Sequence, residues 1–256
     1  MANWNDDQTT RSGIGTSPDQ TGAVSDGTVM DAGLRKYMLG VYNYMASAVL
    51  LTGVVAMLVA QTGFVYSMFN PSTGAPTLFY WVMLASPFIL VMWLQFRIFK
   101  MSLFTAQASY WIYATLMGIS IASIFIVYTP VSIAQTFFAT AAAFAGLSLW
   151  GYTTKKDLSG WGTFLVMGIW GLFAAMLLNV FIFQSAMGDL LMSGIGVVLF
   201  AAFTAYKTQE TRNIYYQVRG NTEMMAKTTI YGALHLYMAF LNMFLFLLRF
   251  LGVARD

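Results

Sequence analysis

Chemistry in this chain would have to come from a short stock of side chains. His235 is the only histidine and there is no cysteine among the 256 residues. Thiolate nucleophiles and disulfides are therefore excluded, and so is zinc, which needs several nitrogen or sulfur ligands. No metal site and no cofactor is expected. The carboxylates are Asp6, Asp7, Asp19, Asp26, Asp31, Asp157, Asp189, Glu210, Glu223 and Asp256. Each falls in a tail, a loop or the end of an apolar stretch, so none is expected inside the apolar part of the chain. A serine nucleophile needs a base within reach. Ser148 in Gly146-Leu147-Ser148-Leu149 and Ser193 in Met192-Ser193-Gly194 stand among small residues, as helix packing commonly arranges, and neither carries a nucleophile motif. No catalytic residue and no enzyme activity are expected. His235 is the one group in an apolar stretch that titrates near neutrality in its ordinary state, which makes it a candidate by position. Its expected form is a neutral imidazole hydrogen-bonded between helices, with a proton sensor as the alternative.

The elements that must position these groups are membrane spans. Charged residues make up 9% of the chain against about 25% in an average soluble domain. No charge occurs in 37–96, 101–154 or 158–188. One crossing needs about 20 apolar residues, so each of the first two stretches must cross twice. A soluble fold would have to bury 21 Phe, 14 Tyr, 18 Met and 7 Trp with almost no charged shell, which a domain of this size cannot do. Turn chemistry at Asn70-Pro71-Ser72-Thr73-Gly74 and at Thr129-Pro130 divides the long runs. The resulting spans are 37–60, 78–96, 104–128, 131–152, 161–183, 190–206 and 228–251. Small residues at close-packing spacing, such as Ala142 with Gly146 and Gly171 with Ala175, suit helix association in lipid.

Two regions follow: a polar tail over 1–30, read as disordered and lacking the apolar core of a signal peptide, and a seven-helix transmembrane domain over 31–256. The lysines and arginines then fix an orientation. Arg35 and Lys36, Arg97 and Lys100, Lys155 and Lys156, and Lys207, Arg212, Arg219 and Lys227 fall on alternate connections, and the other three connections have none. By the positive-inside rule the amino terminus and every basic loop are cytoplasmic. The last connection, from Lys207 to Lys227, is the longest polar loop expected. The seventh span leaves two readings open: a full crossing puts Arg255 outside, and a re-entrant hairpin returns it inside. The net charge of +3 belongs to these loops, and no nucleic-acid partner is expected; the partner is the lipid bilayer.

Three motifs then carry a family resemblance. Ala233-Leu234-His235-Leu236-Tyr237-Met238-Ala239-Phe240-Leu241-Asn242-Met243-Phe244, running on through Leu247-Leu248-Arg249-Phe250-Leu251-Gly252, resembles the last helix of the Bax inhibitor-1 family. Phe203-Thr204-Ala205-Tyr206-Lys207-Thr208-Gln209 resembles its L-T-A-Y-D-T-Q segment, and Lys155-Lys156-Asp157-Leu158-Ser159 its K-K-D-L-S loop. The resemblance covers residues 30–253 and is to the bacterial-type members. It implies an all-α bundle of seven transmembrane helices with the last one central, in the bacterial inner membrane. For function it implies either a pH-sensitive calcium leak or the modulation of a partner such as a membrane-bound ATP-dependent protease.

In the leak reading, the family sets an aspartate in each of the last two motifs near the cytoplasmic mouth, with a basic residue of the second helix beside them. This chain has Lys207 and Ala239 at those two positions. Paired carboxylates titrate as a unit, and calcium takes about six to eight oxygens. Without either acid, calcium is not expected to bind there, and a leak is expected to be slow or insensitive to pH near neutrality. Lys207 is expected to reach the cytoplasm from a helix end, or else to hold the mouth closed with its ammonium. Tyr237, Asn242 and the backbone are the oxygen partners considered for it, with Glu210 one turn on as an ion-pair partner. Arg97 and Lys100 are read as orientation charges, either of which can match the family's basic residue.

Overall fold

The computed structural model describes residues 19–255 of the chain. Its helices are α1 (Asp19–Gln61), α2 (Leu78–Arg97), α3 (Leu103–Ile121), α4 (Ile124–Val127), α5 (Pro130–Thr153), α6 (Trp161–Leu178), α7 (Ala186–Val218) and α8 (Thr222–Leu251). The short α4 prolongs α3, so seven stretches are long and apolar enough to cross a membrane. Residues 1–18 of the expected tail lie outside the described residues. α1 begins at Asp19, within the segment read as tail, and its membrane-crossing part begins at Ala32.

Local chemistry explains where the helices start. Thr77, Ser102, Thr129, Ser185 and Asn221 precede α2, α3, α5, α7 and α8, and each side-chain oxygen accepts a backbone N–H from the first turn. That satisfies a donor the helix itself cannot pair. Pro130 opens α5, where its missing N–H costs nothing. Pro87 lies inside α2 instead, so the carbonyl one turn back, at Met83, has no helical N–H partner. Hydroxyls take its place: Ser86 Oγ donates to it at 3.0 Å and Ser120 Oγ of α3 at 2.6 Å. In lipid a freed carbonyl must be satisfied by protein, and here the repair also fastens α2 to α3.

Burial sorts the helices into one centre and a surround. In α8, 61% of the most apolar window is buried, and no other span exceeds 33%. α8 is therefore the helix around which the bundle is built. The outer helices turn apolar side chains outward, as Phe88 and Ile89 of α2 and Phe164, Met167 and Trp170 of α6 do. In water such a surface would aggregate; in a bilayer it meets hydrocarbon. Close helix approach comes at Gly151, where any Cβ would strike the backbone of Ala205 and so force α5 away from α7. The small-residue spacing is less informative elsewhere, because Gly146 and Gly171 have no atom within 4 Å of the place of a Cβ.

Two expectations about the last third of the chain are corrected. The sixth span does not end at Tyr206: α7 runs unbroken for 33 residues to Val218, and only the turn at 219–221 separates it from α8. Apart from that turn the 207–227 segment is helix: Lys207 pairs with Glu210 and Lys227 with Glu223 along their own helices, and Arg212 donates to the Tyr152 carbonyl, so these charges need no loop. The re-entrant alternative for the seventh span also falls. α8 is a single helix of 30 residues, about 45 Å long. Beyond it the backbone N–H of Arg255 donates to the Val127 carbonyl at 2.8 Å and that of Thr129 to Val253 at 3.2 Å. The end of the chain thus sits against the turn between α4 and α5, at the opposite end of α8 from the 219–221 turn.

Candidate functional site

The level of the bundle where the family resemblance expects acids is set by α7 against α8. Thr211 crowds Gly232 and Phe246 crowds Gly196, which fixes an antiparallel register. That register brings Thr204 and Lys207 beside the stretch from His235 to Ala239. Lys207 is buried, with its side chain 10% exposed, and it lies mid-helix and not at a helix end. Its Nζ pairs with Glu210 Oε2 at 2.5 Å, one turn further along the same helix. The ammonium also lies over the rings of Tyr206 and Phe203, 5.2 and 5.5 Å from their centroids. The second Glu210 oxygen accepts the Tyr206 hydroxyl at 3.4 Å. Glu210 is therefore an acid within a continuous helix, not a loop residue, and both its oxygens are engaged.

Tyr237 and Asn242 do not serve Lys207. The Thr52 hydroxyl donates to the Ala114 carbonyl at 2.9 Å, so the Tyr237 hydroxyl, 2.6 Å from it, is the donor in their bond. That relay joins α8, α1 and α3. Asn242 Nδ2 donates to the Met238 carbonyl of its own helix at 2.8 Å. Ala239 is fully buried and brings no polar atom to this level. Arg97 and Lys100 are exposed at the end of α2, and neither has a side-chain hydrogen bond or ion pair among the described residues.

His235 is buried and held at both ring nitrogens. A carbonyl can only accept, so Nδ1, 2.9 Å from the Tyr231 carbonyl, carries the proton. Nε2 is then the acceptor for the Gln95 side-chain amide of α2 at 3.1 Å. The ring also packs on Tyr231 with centroids 4.3 Å apart, and Lys207 is an electrostatic neighbour. Gln95 is a residue that the sequence reading overlooked; a polar amide in the last two turns of an apolar helix was the available signal. Neither serine candidate meets the imidazole. The Thr208 hydroxyl donates to Thr204, so Ser148 donates to Thr208 and Tyr42 donates to Ser148, while Ser193 donates to the Asp189 carbonyl.

Just beyond lies the meeting of the two other motifs. Gln209 accepts the Leu158 N–H at 2.8 Å and donates to the Lys156 carbonyl at 2.8 Å, clasping the connection between α5 and α6 to α7. Arg212 donates to the Tyr152 carbonyl beside it. Asp157 in that connection accepts both the backbone N–H and the hydroxyl of Ser159, which hold its carboxyl below the usual range. At the far end of the bundle Arg249 pairs with Asp189 at 2.7 Å, and Asn179 donates to the same carboxylate. Among the described residues no group of three or more His, Asp or Glu side chains is arranged to hold a metal.

A central helix buried by the others and an outer ring with lipid-compatible faces define an integral membrane protein of seven helices. The sequence profile described as Inhibitor of apoptosis-promoting Bax1 matches residues 34–256. The chain is 40% identical to an uncharacterised protein of Rickettsia prowazekii over 91% of its own length and 95% of that protein's. It is 39% identical to the inner membrane protein YbhL of Escherichia coli K12, over 88% and 94% of the two chains, and 26% identical to an uncharacterised membrane protein of Streptococcus pyogenes over 88% and 96%. This chain belongs to the Bax inhibitor-1 family.

Proposed function

We propose that this is a bacterial inner-membrane member of the family with its amino terminus in the cytoplasm, and that its bundle is closed to calcium at the Lys207 level. The observation that carries the reading is the Lys207–Glu210 ion pair, 2.5 Å long and largely buried, at a position where the family resemblance expects an acid. Calcium needs about six to eight oxygens. Here one carboxylate is present, already neutralised by an ammonium, and Ala239 adds none. Leak of calcium is therefore slow or insensitive to pH near neutrality. The inner-membrane placement is supported by the name of the Escherichia coli relative, and the orientation by the basic connections.

The test is calcium flux in liposomes across pH, comparing the unmodified chain with a double variant, Lys207→Asp with Ala239→Asp. The expected result is little flux from the former and pH-gated flux from the latter. Rapid, pH-gated calcium leak from the unmodified chain would overturn the reading.

A second reading, modulation of a membrane-bound ATP-dependent protease without conduction, draws on a separate observation. α7 at 33 residues spans about 50 Å against about 30 Å of hydrocarbon, so α7 and α8 carry a helical hairpin past the membrane. Tyr216 and Gln217 are exposed on it. Deleting residues 1–30, or replacing Tyr216 and Gln217 by alanine, and following proteolysis by such a protease separates the readings. Loss of protection at unchanged flux favours the regulatory one.

A further inference from the structure

We propose that Phe203, Tyr206 and Glu210 form a binding site for a primary alkylammonium ion, and that Lys207 occupies it as a built-in ligand. The inference rests on the contacts around one nitrogen and does not depend on whether the bundle conducts. The ammonium of Lys207 has given up most of its water, with its side chain 10% exposed. In exchange it receives one carboxylate oxygen at 2.5 Å and two aromatic faces at 5.2 and 5.5 Å. A carboxylate plus ring faces is the donor set by which proteins recognise organic ammonium ions, the rings attracting the cation through their quadrupole. The hydrogen bond to Glu210 selects an ion that has N–H to donate, so a quaternary ammonium fits less well than a primary one. Both rings and the carboxylate sit on successive turns of one long helix, which holds them in place without the ligand. The site is not sealed either, because the Glu210 side chain is 32% exposed, giving a soluble amine a way in. In the native chain a tether of four carbons keeps the ligand at a high effective concentration, so added amines do not displace it easily.

Cutting the tether exposes the site. Lys207→Ala keeps the Cβ and removes the atoms of n-propylammonium. Melting of this variant in detergent is measured with n-propylammonium chloride, and with tetramethylammonium chloride and sodium chloride at equal concentration. The expected result is a saturable rise in Tm of about 2–4 °C with the primary amine alone, absent in the unmodified chain and lost in Lys207→Ala with Glu210→Gln. No rise, or an equal rise with all three salts, overturns the proposal. A second route covers the case in which the alanine variant does not fold. The chain has no cysteine, so Lys207→Cys offers a unique thiol, which is alkylated with 2-bromoethylamine to restore an ammonium or with iodoacetamide to give a neutral amide. Recovery of Tm by the amine product alone supports the site; equal recovery by the neutral product, or recovery by neither, overturns it. Calcium flux is read by neither assay, so a failure here leaves the leak reading standing and the reverse.

Discussion

At Lys207 an ammonium is buried at a place where neighbouring residues follow a motif written around an acid, and the question is how the bundle tolerates it. Glu210 answers the charge from the next turn, and the rings of Phe203 and Tyr206 cover what remains. Removing one member of such a pair strands the other, whereas removing both with apolar replacements costs little. Glu210→Gln is accordingly expected to destabilise by about 1–3 kcal/mol, and Lys207→Met with Glu210→Gln to recover most of it, as a double-mutant cycle by thermal melting reads directly. A double variant whose loss equals the sum of the losses of Glu210→Gln and Lys207→Met measured singly would show that the pair contributes nothing. His235 makes a separate expectation. Its Nδ1 faces a carbonyl and its Nε2 an amide, so nitrogen NMR of labelled histidine should find the proton on Nδ1. Replacing Gln95 by leucine should shift the Nε2 signal and leave Nδ1 hydrogen-bonded; a proton found on Nε2 in the native chain contradicts this geometry.

Among the elements, the spans were largely legible in the sequence because an apolar run without charges has few alternatives. The failure was at the end of the sixth, where Lys207, Glu210 and Arg212 read as a polar loop. Helix hydrogen bonds are local and indifferent to side-chain charge, and all three side chains find partners on the bundle. The partners of Lys207 were half legible: Glu210 follows from helical spacing, whereas the engagement of Tyr237 with Thr52 and of Gln95 with His235 joins residues 185 and 140 positions apart. No local pattern carries such pairings. The role of the two short motifs emerges only when α7 meets the α5–α6 connection. Gln209→Ala should free Leu158 N–H and Lys156 carbonyl together, costing about 1–3 kcal/mol, and trypsin should then cut after Lys155 or Lys156 faster. Gln209→Glu should show part of the effect, since a carboxylate accepts from Leu158 and cannot donate to Lys156. The same connection has a pH response. The Asp157 carboxyl is held below its ordinary 3.8 by donors that favour the ionised form. Stability from that contact is present above this ordinary value and is lost as pH falls through the lowered one. The Ser159 amide resonance should therefore titrate below 3.8, and Asp157→Asn should keep the turn and abolish the titration.

For the whole molecule, the crossing of α8 decides which side of the membrane the two ends of the bundle face. Lys155 and Lys156 lie in the connection clasped by Gln209, at the end of α7 nearest the 219–221 turn. Arg255 lies against Val127, at the other end of α8. Seven crossings separate a basic end, which the positive-inside rule assigns to the cytoplasm, from an end that carries the α4–α5 turn and the last residues of the chain. The structure alone fixes that these two ends are opposite, and the proposal that the basic end is inside rests on the lysine and arginine distribution alone. One experiment reads both. Since the chain has no cysteine, single cysteines at Ser159 and at Ala254 can be labelled in intact cells with a thiol reagent that does not cross the inner membrane. Ala254→Cys should react from outside and Ser159→Cys only after the membrane is opened. Reaction of both from the same side would contradict a full crossing of α8, and the reverse pattern would keep the crossing while inverting the orientation, so the helix geometry and the charge rule are tested separately.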